Sequence, residues 1–159
     1  MLVSVKSTPG VSRWRRVSAE HWQEYAIEAC GLGFFMISAC SFGTLLGHPD
    51  SPLVRWIANP TLRRVLMGVA MGTTAMSLIY SRFGKRSGAH LNPATTITFL
   101  RLGKIDSTDA LFYMVSHFLG AVAGVGLAGI LLREWIAHPS VDYVVTLPGR
   151  FGNWWAFAA

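Results

Sequence analysis

Ser87-Gly88-Ala89-His90-Leu91-Asn92-Pro93-Ala94 hold the residue types and spacing that could do chemistry in this chain. The chemistry would be hydrogen bonding to a passing molecule. Asn92 fits a helix N-cap and Pro93 the first helical position, where a missing N–H costs nothing. Ser87 to Leu91 are then expected as irregular backbone whose carbonyls form a row of acceptors. The N-terminus of a helix opening at Pro93 would add a partial charge of roughly +0.5, which admits a neutral molecule with lone pairs and opposes a cation or proton. Asn-Pro-Ala by itself is an ordinary helix cap. Its weight here comes from its setting, after one full apolar run and before a second, Pro93 to Leu100, that is only eight residues long. A membrane-spanning helix needs about 20 residues. Irregular backbone at membrane depth is tolerated only when buried in protein or lining a water-filled cavity.

No arrangement of Ser, His and Asp argues for hydrolysis, and no His, Cys, Asp or Glu set has ligand spacing for a metal. The chain is therefore read as a non-enzyme with no metal and no cofactor. Glu28 is the single carboxylate of the first apolar run. An intramembrane carboxylate is costly and marks a functional position by default; its bland alternative is a glutamate near the span end, snorkelling to the interface. His90 belongs to the octet, and its side chain reads equally as structural. His117, inside the third apolar run, reads as a packed, hydrogen-bonded residue, and His48 and His138, beside prolines in loops, as inert. Cys30 and Cys40 lie ten residues apart on one expected helix, roughly 15 Å, which is too far for a disulfide.

The elements that must position these residues are helices in a bilayer. Of the 159 residues, 52% are hydrophobic and 14% charged, against about 25% charged in soluble domains, and the mean hydropathy is +0.39. Three apolar runs are expected to span: Tyr25 to Leu46, Leu62 to Phe83 and Ala110 to Leu132. Asn153 to Ala159 reads as the start of a fourth span, cut off. Small residues recur every four positions in the third run (Ser116, Gly120, Gly124, Ala128) and at Gly68 and Gly72 in the second; such stripes let helices pack closely in lipid.

The net charge of +6 reflects topology and not nucleic-acid binding, because the charges flank the apolar runs. Lys6, Arg13, Arg15 and Arg16, with Arg82, Lys85, Arg86, Arg101 and Lys104, face Arg55, Arg63, Arg64, Arg133 and Arg150 on the other side. The excess favours a cytoplasmic N-terminus. Residues 1–20 read as a basic cytoplasmic tail and residues 21–159 as one transmembrane domain. The general appearance suggests a plasma membrane, the inner membrane of a bacterium.

Ser-Gly-Ala-His-Leu-Asn-Pro-Ala-Thr-Thr resembles the first signature of the aquaporin and glycerol-facilitator family, the major intrinsic proteins. The resemblance covers about residues 24–159. It implies an all-α membrane fold: an aquaporin-like first repeat of three transmembrane helices and a re-entrant half-helix, truncated at the start of a fourth span. It also implies a passive channel for water or small neutral solutes such as glycerol, and a homotetramer with one pore per subunit. Asn92, Pro93 and Ala94 would sit at the pore midplane. Gly88, Ala89 and His90 would present carbonyls, and Glu28 would brace the re-entrant loop by accepting hydrogen bonds from its backbone. The family's aromatic filter position in the second span falls on Met71 or Gly72, neither of them aromatic, which leaves a wider filter open. The second signature is absent. Trp155 to Ala159 resembles the opening of the first span at Tyr25 to Glu28, so the sequence reads as the front half of a longer product. The competing reading is a non-conducting half-channel with a structural or interaction role. A membrane enzyme has the least support.

Overall fold

The computed structural model describes residues 13–146 together with Gly152 and Trp154. The first twelve residues of the expected tail lie outside the described residues, as does the expected fourth span apart from Trp154. Among the described residues all regular structure is helical: α1 (Arg13–Gly47), α2 (Pro52–Trp56), α3 (Pro60–Tyr80), α4 (Arg82–Ser87), α5 (Pro93–Arg101), α6 (Ser107–Leu132), α7 (Glu134–Ala137) and a 3-10 turn (Asp142–Val144). Three helical stretches are long and apolar enough to cross a membrane: Ala19–Gly47, Pro60–Tyr80 and Ser107–Leu132.

Each expected span is present, and the boundaries differ for local reasons. The helix α1 starts twelve residues before Tyr25 and bends at His21, whose backbone leaves helical geometry (φ −115°, ψ 16°). The second span stops at Tyr80, because Ser81 caps a new helix by accepting the Gly84 amide at 2.9 Å. The segment Gly84-Lys85-Arg86 after the second apolar run is therefore part of helix α4, and irregular backbone begins at Gly88.

Contacts divide the chain into two compact units. The first comprises the described residues up to Phe34 together with Met76–Ala123. Its interior is largely polar: Glu28, Ser87, His90, Thr96, Thr108 and His117 are buried, beside Tyr25, Ala110 and Tyr113. Large apolar side chains such as Phe34, Phe83, Phe118 and Leu119 point outward. That inversion suits a chain whose solvent is lipid, where backbone and polar groups must be satisfied internally. Helices α1 and α6 meet closely within this unit, since a Cβ on Gly120 would collide with the Ala29 backbone.

The second unit comprises Phe35–Ala75 and the residues from Gly124 on. Its core is Cys40, Ala128, Ile136 and Val141, with Val125, Leu132 and Val144 packed against them. The small-residue stripe of α6 is buried at Gly120, Gly124 and Ala128. The matching stripe of α3 is not: Gly68 and Gly72 are exposed, and a Cβ on either would meet nothing within 4 Å.

Candidate functional site

The site is the break between α4 and α5. Gly88 ends α4 in the left-handed region (φ 90°), with its amide donating to the Gly84 carbonyl at 2.9 Å. Ala89 (φ 46°) and Leu91 (φ 48°) also have positive φ. Non-glycine residues pay for that conformation, and it persists only where the surroundings impose it. Here the surroundings are Glu28 on α1. Its carboxylate is fully buried, which excludes snorkelling, and it takes four hydrogen bonds. Oε1 accepts from the Ser87 hydroxyl at 2.6 Å and the His90 amide at 3.0 Å. Oε2 accepts from the Leu91 amide at 2.7 Å and pairs with His117 Nε2 at 2.9 Å.

Other side chains fix the same turn. The Tyr113 hydroxyl donates to the Ser87 carbonyl at 2.7 Å. The His90 ring is buried, 2.9 Å from Thr96 Oγ1 through Nδ1, and stacked on Phe99 with centroids 4.8 Å apart. The imidazole of the octet's histidine is thus engaged by the protein through Nδ1 and its ring face. Among the described residues, the carbonyls of Gly88, Ala89 and His90 accept no hydrogen bond.

Asn92 has extended backbone (φ −162°, ψ 131°), and its Oδ1 accepts the Ala94 amide at 2.8 Å, with Pro93 at the first helical position. The oxygen is thus committed to the cap, and the exposed Nδ2 remains as a donor with no partner among the described residues. A control lies in the same chain. Asn59-Pro60 caps α3 in the same way, with Oδ1 accepting from Thr61 (2.9 Å) and Leu62 (3.3 Å). The cap is generic. What distinguishes Asn92 is the strained, carboxylate-held backbone before it.

On the other side of the turn, Arg86 ties α4 to α1 through Glu24 (3.0 Å) and Gln23. Asp109, in the first turn of α6, receives Tyr25 and lies 2.8 Å from His21 Nδ1, at the bend of α1. A polar cavity of about 440 Å³ is lined by His21, Glu24, Ser87, His90, Asp109 and Tyr113, among others. The sequence reading named His117 only as a packed residue and did not name Tyr113, His21 or Asp109. The available signal was their spacing: Asp109, Tyr113, His117 and Gly120 step along one face of α6 at intervals of three and four. Met71 and Gly72 lie on α3 in the second unit, the first half-buried and the second exposed. Among the described residues no group of three His, Cys, Asp or Glu could hold a metal ion.

The chain was compared with known proteins. The major intrinsic protein family profile matches residues 14–150. Aquaporin-5 of Sus scrofa is 39% identical over 106 residues, which cover 63% of this chain and 38% of that protein. Lens fiber major intrinsic protein of Bos taurus is 34% identical over 140 residues, or 88% of this chain and 43% of that protein. Its counterpart in Lithobates pipiens is 32% identical over 137 residues, or 81% and 48%. The chain spans less than half the length of these relatives. No solved structure matches it significantly. The family profile covers most of the chain, including the three spans and the capped break between α4 and α5, and on that evidence this multi-pass, all-α membrane protein belongs to the major intrinsic protein family.

Proposed function

We propose that the chain contributes the first half of a passive channel for water or small neutral solutes such as glycerol, and not an enzyme's active site. The observation that carries this reading is the Glu28-held turn. Three carbonyls that accept no hydrogen bond among the described residues (Gly88, Ala89, His90) precede a cap whose Oδ1 is committed and whose Nδ2 has no partner among them. A solute with a lone pair and a hydroxyl can exchange one hydrogen bond for the next along such a row. The N-terminus of α5, with Pro93 and Ala94 in its first turn, disfavours a cation at the Asn92 end. Glu28 is the supporting residue, and Met71 or Gly72 would leave the second-span filter position wide. The cytoplasmic N-terminus, the bacterial inner membrane and the homotetramer belong to the same proposal.

The test is osmotic shrinkage of vesicles containing the chain, followed by light scattering. Flux well above that of empty vesicles is expected once the chain is paired with a second half in the opposite orientation. Asn92→Asp is expected to cut flux or admit cations, because it replaces the free donor with a charge. Unaltered permeability and ion exclusion in that variant would remove Asn92 from the path.

One observation favours a second reading. The chain spans less than half the length of these relatives, and a repeat of that length acting alone would supply only part of a pore wall. A non-conducting structural or interaction role then follows, and vesicles that shrink no faster than empty ones would support it.

A further inference from the structure

The pair His48-Pro49 recurs as His138-Pro139, and the two copies fold alike. His48 Nδ1 accepts the Asp50 amide at 3.1 Å. His138 Nδ1 accepts the Ser140 amide at 3.1 Å, with the Ser140 hydroxyl at 3.0 Å. Each histidine carbonyl closes the same turn again, His48 with the Ser51 amide (3.0 Å) and His138 with the Val141 amide (2.8 Å). The two rings pack together with centroids 4.7 Å apart, and Trp135 stacks on His48 at 4.4 Å and 14°. All of these residues belong to the second unit. His48 is buried, while His138 is partly open to solvent.

An imidazole nitrogen that accepts an amide N–H must be unprotonated, so each neutral ring carries its proton on Nε2. A second proton on either ring can go only to Nδ1. It abolishes that acceptor and sets an N–H against the amide it had satisfied. The first cation would gain from the Trp135 face. The second would meet a like charge one ring away. Charged groups on the neighbouring elements form no hydrogen bond or ion pair with the rings among the described residues, and Arg63 and Arg64 of α3, which line one cavity with Pro49 and Ser140, bring only positive charge. Asp50 is ion-paired with Arg55 at 3.2 Å, and Arg133, Glu134 and Asp142 form no hydrogen bond or ion pair with either imidazole among the described residues.

We infer that His48, His138 and Trp135 form an acid-sensitive latch, closed when both imidazoles are neutral, which joins the α1–α2 turn to the segment after α7. Acidification opens both turns together. The inference rests on this geometry alone and stands whether or not the chain conducts.

The test is amide hydrogen exchange of Asp50 and Ser140 in the full chain in lipid nanodiscs. It is read at pH 8 and pH 5, spanning the range in which imidazoles titrate, and corrected for the intrinsic pH dependence of exchange. Protection of both amides should fall by about fivefold to tenfold, the factor that the loss of one hydrogen bond supplies. Asparagine can accept the same amide through Oδ1 but cannot titrate. His48→Asn with His138→Asn should therefore hold both amides protected at both pH values. Wild-type protection independent of pH would overturn the latch. An equal loss in the double asparagine variant would overturn it as well, because the acid effect would then come from elsewhere.

Discussion

Glu28 is asked to satisfy four donors with two oxygens, and none of the four has an alternative partner of comparable quality. Ser87 and the His90 and Leu91 amides lie in the turn, and His117 lies on α6. Glu28→Gln keeps one acceptor oxygen and turns an NH2 toward at least one of these donors. A buried donor left without a partner costs about 1–3 kcal/mol, so the variant is expected to lose about 3 kcal/mol in denaturant unfolding. His117→Gln, which can still donate to Oε2, should lose clearly less than His117→Leu, which cannot; equal losses in the two would mean that the His117 bond contributes only packing. The octet and the isolated carboxylate were legible because both are local signals. The partnership of Glu28 with His117 was not, because its members stand 89 residues apart and periodicity places a residue on a helix face without naming what lies opposite. The side chain of His90 was ambiguous for the same reason, since Thr96 and Phe99 become its partners only once α5 turns back on the loop.

At the scale of elements, equal sequence patterns led to unequal structures. Gly68 and Gly72 on α3 have the same spacing as Gly120 and Gly124 on α6, but the first pair is exposed and meets nothing, whereas Gly120 abuts the Ala29 backbone and Gly124 is buried. Gly120→Ala puts a methyl group into the Ala29 backbone, and overpacking of that kind costs about 1–3 kcal/mol. Gly72→Ala meets nothing and removes a helix-weakening glycine, so it should be neutral or stabilising by up to about 1 kcal/mol. Unfolding of the two variants side by side checks the contrast. A loss at Gly72 as large as that at Gly120 would mean that α3 is covered in the assembled protein. The short helix α4 was missed for a related reason. The basic run Gly84-Lys85-Arg86 and the glycines around it resemble a loop in composition, whereas the cap that starts the helix is a single hydroxyl on Ser81. Helix α5 was found almost to the residue, because Asn92-Pro93 fixes its start sterically and Arg101 closes its short apolar run.

For the whole molecule the deciding quantity is orientation. Three helical stretches are long and apolar enough to cross a bilayer; on the proposed topology each crosses once, the two ends lie on opposite sides, and the basic residues choose which side is which. On that topology nine of the fourteen Lys and Arg residues would fall on the N-terminal side, a bias that favours a single orientation with that side cytoplasmic. Tags at the two termini, probed by protease in sealed vesicles, should report one population. A half-channel could complete a pore with a second copy of itself only if that copy were inserted upside down, and a single population forbids that arrangement. Neutralising Lys85, Arg101 and Lys104 brings the two sides nearly level and spares Arg86, which holds α4 to α1. The tags should then report both orientations. If osmotic flux rises only in this charge-levelled variant, the wild-type chain lacks only an inverted partner. If flux stays at the level of empty vesicles with both orientations present, the first-half reading needs a partner of different sequence, and the Glu28-held turn is a scaffold that waits for it.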